Sequence, residues 1–225
     1  MYVKRLRSRR GWTQRRMAQI ACVGLSTVQR IEQGADADYQ ENIVENLANI
    51  LCDNDHERAY MSALAGNPTA ALADVAAVGD IASLLEYVSP VPAAYLVNWK
   101  IAAANEQYRE LMPGLSVADS LPHWMFLDGR SKLVMPDWQK LAADTVGSLR
   151  YSLVTADGHG AAADIVGDLI PRPEFRRIWE SWIVHAQRPA SATRRIWSPS
   201  MEQMVTLREA LIPTASGLLV VDFPT

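Results

Sequence analysis

The segment TQRRMAQIACVGLSTVQRIEQG, residues 13–34, constrains the chain more than any other. Thr13 offers a side-chain oxygen where an N-cap is needed, and Met17, Ile20 and Ala21 follow at helical spacing, which predicts a short helix. Cys22-Val23-Gly24 then reads as a tight turn. Leu25 to Glu32 reads as a second helix with Val28 and Ile31 inward, closed by Gly34 at the C′ position. Two short helices meeting at a steep angle need a small residue at their approach and apolar residues to hold the angle. Ala18 supplies the first, and Met17, Ala21, Val23, Val28 and Ile31 supply the second. The pattern predicts helix, turn, helix.

Charge gives this segment a partner. Residues 1–34 carry eight Lys or Arg against one acid, Glu32, a net +7, whereas the remaining 191 residues carry 14 bases and 24 acids, a net −10. A basic head on an acidic body points to an anionic partner held by the head, nucleic acid above all, while the body is repelled from phosphates. A solvated basic helix gives the same composition, and the packing pattern of residues 13–34 argues against it.

The segment resembles the helix-turn-helix of the XRE family, which includes the Cro and cI repressors. The resemblance is carried by Thr13-Gln14, Ala18, Val23, Ser26-Thr27-Val28 and Arg30-Ile31-Glu32 with Gly34. Two positions depart from it: Cys22 stands where the family favours a glycine for a left-handed turn, and Gly24 stands where it favours a serine cap. The resemblance implies double-stranded DNA as partner. It places Leu25, Ser26 and Gln29 against base edges in the major groove, Leu25 suiting a thymine methyl, with Gln14, Thr27 and Arg30 on phosphates. Arg15, with Arg5, Arg9 and Arg16, adds attraction that is blind to sequence.

The rest of the first domain is helical by the same rules. ENIVENLANIL, 41–51, puts Ile43, Leu47, Ile50 and Leu51 on one face, and Asn54 with Glu57 opens a further helix in the manner of a capping box. An all-α helix-turn-helix domain of about five helices over 1–65 is expected, with Ala35 to Tyr39 as a loop. An Ala-rich, partly helical linker at 66–80 follows, opening on Gly66-Asn67-Pro68. No apolar run is long enough for a membrane span, and Cys22 and Cys52 form no CxxC pair, so a cytoplasmic protein with no zinc site is expected.

Residues 81–225 hold six of the seven tryptophans and mix strand and helix signals. Residues 94–97 and 99–102 read as a hairpin or bent strand, and TRRIWS (193–198), QMVTLR (203–208) and GLLVVDF (217–223) as three further strands. DWQKLAADTVGSLR, 137–150, carries Trp138, Leu141, Ala142, Thr145, Val146 and Leu149 on one helical face. PEFRRIWESWIV, 173–184, carries Phe175, Ile178, Trp179 and Trp182, with Pro173 in a first turn. Strands, helices, then three strands predict an α+β domain, an antiparallel sheet with helices on one face, compatible with a PAS-like sensor.

This half resembles the sensor domains of MmyB-like regulators. The likeness rests on Pro92-Ala93, Asn105, Trp124 with Phe126 and Asp128, Asp137-Trp138, Leu149-Arg150, Glu174-Phe175-Arg176 with Trp179, and Leu219-Val220-Val221. It implies a PAS-like fold holding a lipophilic molecule such as a fatty acid; the head lacks the Arg-rich stretch common in that group. A ligand site needs apolar walls and a few polar anchors. Trp124, Phe126, Trp138 and Trp179 are candidate walls. Asn105, Arg130 and Arg150 are candidate anchors, with Arg150 expected at a pocket rim and surface salt bridging as the rival role. Aromatics at helical spacing are more often core.

An enzyme is not expected. His56, His123, His159 and His185 are scattered without metal spacing, Gly158-His159-Gly160 reads as a loop, and no GxSxG, Walker A or dinucleotide fingerprint occurs. No cofactor is implied. The expectation is a DNA-binding regulator acting as a homodimer on an inverted repeat, its second domain either a sensor for a lipophilic ligand or a dimerisation module alone.

Overall fold

The computed structural model of the chain describes residues 2–34, 41–66, 81–155, 159–186, 193–214 and 217–225. By its internal contacts the chain divides into two units, Met1–Ala70 and Ala71–Thr225. The expected loop after Gln33 and nearly all of the Ala-rich linker lie outside the described residues.

In the first unit, α1 (Tyr2–Arg9), α2 (Gln14–Ala21), α3 (Leu25–Gln33), α4 (Glu41–Leu51) and α5 (Asp55–Leu64) follow in order. Local chemistry sets their ends. The Thr13 hydroxyl accepts from the Arg16 N–H at 3.1 Å, and the Asn54 side-chain Oδ1 accepts from the Glu57 N–H at 2.9 Å while the Glu57 carboxylate accepts from the Asp53 N–H. α2 stops because Cys22 turns left-handed, at φ 55° and ψ 40°, a conformation that favours glycine. Gly24 opens α3 with no side-chain cap, as expected of a residue without one. Met17, Val28 and Leu51 are fully buried among Leu6, Ala18, Ala21 and Leu47, and each such side chain stabilises the unit by about 1.5–3 kcal/mol relative to exposure.

The second unit holds α6 (Ile81–Tyr87), β1 (Ala93–Val97), β2 (Lys100–Ala104), α7 (Glu106–Leu111), α8 (Leu121–Leu127), α9 (Arg130–Val134), α10 (Trp138–Ser152), α11 (His159–Leu169), α12 (Pro173–Glu180), β3 (Thr193–Ser198), β4 (Gln203–Pro213) and β5 (Leu218–Pro224). Its five strands form one antiparallel sheet in the order β2-β1-β5-β4-β3, an α+β, PAS-like arrangement. β4 serves both neighbours: residues 203–208 pair with β3 and 207–213 with β5.

Three expectations are corrected. Helices were expected on one face only, yet β1 and β5 alternate between two cores. Ala94, Leu96 and Val220 face the helical layer, while Ala93, Tyr95, Leu219 and Val221 face Leu85 of α6 on the other side. A strand buried on both faces is apolar throughout, so its sequence does not announce which side a helix covers. The helix expected over 173–184 ends at Glu180, and Trp182 has φ 62°. His159, expected in a loop, is the first residue of α11.

Candidate nucleic-acid interface and ligand groove

α3 is held by a buried carboxylate. Glu32 accepts from Arg7 Nε at 2.5 Å and Nη2 at 3.0 Å, and from Gln14 Nε2 at 2.7 Å, while Arg7 Nη1 donates to the Trp12 carbonyl at 2.6 Å. Burial pushes the Glu32 pKa up, but the hydrogen bonds from Arg7 and Gln14 and the charges of Arg7 and Lys4 outweigh it, and the net shift is downward. One acid thus ties α1, α2 and α3 together and sets the angle at which α3 is presented.

The opposite side of α3 is open. Leu25, Ser26, Gln29 and Arg30 are exposed and Thr27 is half-buried. Arg15 and Arg16 on α2 are exposed as well, and among the described residues no carboxylate pairs with Arg15, Arg16 or Arg30. Cations left unneutralised beside an exposed polar helix face are what phosphate and base-edge contacts require. Gln14 is the exception among the expected contacts, since its amide is already engaged by Glu32.

The candidate ligand residues of the second unit divide differently. Trp124 and Trp138 are buried, and both indole N–H groups are satisfied, by the Pro113 carbonyl at 3.2 Å and the Met125 carbonyl at 3.1 Å. Phe126 meets Trp138 and Phe175 edge-to-face at 5.4 and 5.1 Å, and Phe175 stacks on Trp179 at 5.9 Å. The run ends on Arg150, whose guanidinium lies 4.1 Å from the Trp179 ring and 5.0 Å from the Trp182 ring. Arg150 is 2% exposed rather than at a rim, and it donates to the carbonyls of Trp179 and Ile183. These two bonds tie α10 to the last turn of α12 and to the residues just after it.

Asn105 is equally committed to the fold. Its side-chain oxygen accepts from the N–H groups of Ala93 and Tyr108, and its amide nitrogen donates to the carbonyls of Leu85 and Val91, which joins α6, β1 and α7. Arg130 is exposed and grips Asp128 at 2.6–3.0 Å. The structure therefore gathers Phe126, Trp138, Arg150 and Trp179 into one packed run, keeps Trp124 in the same core, and sets Asn105 and Arg130 apart.

None of those seven lines a groove found elsewhere in the unit. That groove, of about 550 Å³, runs between the β1–β2 hairpin with residues 117–123 on one side and α11 on the other. Its lining includes apolar Val97, Ile101, Val117 and Ile165 and polar Lys100, His123, Asp164 and Asp168. The volume falls in the range that suits small-molecule sites.

Comparison with known families follows the same division. Residues 79–223 match the MmyB-like transcription regulator ligand binding domain, and residues 1–61 match a helix-turn-helix domain. The chain belongs to the MmyB-like transcription regulators. Among curated proteins no significant relative matches it.

An MmyB-like regulator thus joins a DNA-binding head to a ligand-binding domain. Two parts of this one escaped sequence reasoning. Glu32 could have been found, because a lone acid in a strongly basic head needs a reason. The groove had no such signal: its two sides come from residues 97–123 and 161–168, and only the fold brings them together.

Proposed function

We propose that this MmyB-like regulator acts in the cytoplasm as a homodimer on an inverted-repeat operator, with operator affinity set by a lipophilic small molecule in its second unit. The ligand is fatty-acid-like in having one apolar chain and one polar head. The exposed face of α3, with Leu25, Ser26 and Gln29 flanked by unneutralised Arg15 and Arg30, carries the DNA half of the reading. A single helix of this length reads about half a site, so a second copy supplies the rest of the specificity. Thr27 adds a phosphate contact, and Gln14 has one amide N–H left for another while its second is held by Glu32. No described helix is long and apolar enough to cross a membrane.

A ligand controls this equilibrium only through different affinities for two states of the protein. Electrophoretic mobility shifts at several salt concentrations test the DNA half. Ser26→Ala and Gln29→Ala relax sequence preference by about 1–3 kcal/mol per base contact, whereas Arg15→Ala weakens all DNA alike and lowers the salt slope by about one. Equal losses on operator and random DNA from all three variants overturn the assignment. Native mass spectrometry tests the sensor half: a lipid travelling with the protein supports it. A stable dimer that accepts no small molecule favours the dimerisation module instead, a reading to which the packing of Trp138 against Phe126 within the buried core lends support.

A further inference from the structure

The groove of the second unit has two unlike sides, and the difference specifies a ligand head. α11 presents Ala161, Asp164, Ile165 and Asp168 to it, spaced i, i+3, i+4 and i+7, so both carboxylates share one helix face. Asp168 Oδ2 lies 3.2 Å from His123 Nε2, within hydrogen-bond distance, and among the described residues nothing pairs with Asp164. The β1–β2 side carries one cation, Lys100. The apolar lining is Val97, Ile101 and Val117 on the hairpin side and Ile165 on α11.

The hairpin side is built at some cost. Asn98, Trp99 and Ala118 have φ of 50°, 69° and 73°, in the left-handed region that non-glycine residues avoid. The Asn98-Trp99 pair forms the two-residue turn between β1 and β2, where glycine is the usual second residue. Ala118 is held by its N–H donating to the Ile101 carbonyl at 2.7 Å. These bonds shape the apolar side without adding a charge to it.

We propose that this groove binds an amphiphile with a protonated amine head, the head against Asp164 and Asp168 and the chain along Val97, Ile101, Val117 and Ile165. The inference rests on the reading that the second unit binds a small molecule, and it assigns that molecule's charge. An ammonium donates to both carboxylates of α11, and its chain then lies across the floor toward Val117. A carboxylate head in the same place meets two like charges, and Lys100 stands on the other side.

Calorimetric titration of the full-length protein at pH 8 separates the possibilities, with dodecylammonium and laurate as probes, both below their micellar concentrations. Dodecylammonium is expected to bind at one site and laurate more weakly. The Asp164→Asn/Asp168→Asn pair is expected to weaken dodecylammonium by about tenfold or more, the loss of a charged contact. Because the unit is acidic, Glu106→Gln/Glu180→Gln serves as control: it removes the same charge from exposed positions outside the groove and should leave affinity within about twofold. Equal losses from the two pairs, or an unchanged affinity in the Asp pair, overturn the proposal. Tighter binding of laurate than of dodecylammonium also overturns it while leaving the ligand-sensor reading standing. Binding of neither probe overturns it too, and the sensor reading is then decided by the native mass measurement alone.

Discussion

Each unit buries a charged cluster, and the two clusters are built on opposite plans. In the first, the buried carboxylate of Glu32 is matched by Arg7, whose side chain remains 12% exposed and partly hydrated. In the second, Arg194 of β3 is buried between two carboxylates on neighbouring strands, Asp222 of β5 and Glu209 of β4, with Nε of Arg194 3.1 Å from Asp222 and Nη1 3.3 Å from Glu209. Asp222 and Glu209 stand directly opposite each other in the ladder, a like-charge pairing that Arg194 makes tolerable. A cation that keeps water can lose its partner at modest cost. One without water cannot. The first cluster sets the angle of a helix that must meet DNA, and the second ties three strands at one edge of a sheet.

That contrast orders the expected losses. Asp222→Ala leaves Arg194 buried with half its compensation and should destabilise the second unit by about 3–5 kcal/mol, read by urea denaturation through tryptophan fluorescence, since six of the seven tryptophans lie there. A loss no larger than that of Glu32→Ala would erase the distinction between the clusters. Trp124→Ala should cost about 3–5 kcal/mol as well, because its ring is buried and its N–H bonded; a change in ligand response with little loss of stability would make it a pocket wall after all.

Glu32→Ala should cost the first unit about 1–3 kcal/mol by freeing Arg7 and Gln14, measured by hydrogen exchange in α2 and α3. Its pH dependence has a definite sign. The folded pKa lies below the ordinary value of 4.5, so the stabilisation is present above 4.5 and is lost as the pH falls through the folded value. Glu32→Gln should remove that part of the acid sensitivity of α2 and α3. The smallest effect runs the other way: Cys22→Gly relieves a left-handed non-glycine residue and should stabilise the head by about 1 kcal/mol, seen as a higher midpoint in thermal melts followed by exchange.

The helix-turn-helix was legible because its determinants are local. Thr13, Ala18, Cys22, Val28 and Gly34 act within one or two turns of themselves, and the surprises were non-local: Glu32 is held by Arg7, 25 residues away, and Arg9, expected to attract DNA, is paired with Glu57, 48 residues away. The strands at 193–198 and 203–208 were legible for the same reason, since side-chain alternation is a local pattern. In the second unit the list of elements was incomplete: α6, α7, α8, α9 and α11 carry short or weakly amphipathic patterns that neighbouring packing stabilises.

By itself, then, the sequence determined a basic helix-turn-helix head, an α+β partner domain, and the aromatic residues on which that domain packs, because capping, periodicity and net charge need no knowledge of distant chain. The tertiary structure alone decided that α6 covers the second face of the sheet, that Arg150 lies buried between two tryptophans with its donors on the carbonyls of Trp179 and Ile183, and that Asp164 and Asp168 stand across a groove from Lys100. Each of these depends on segments far apart in the chain, and burial, which gives a charge its partner or its cost, is settled only when those segments meet.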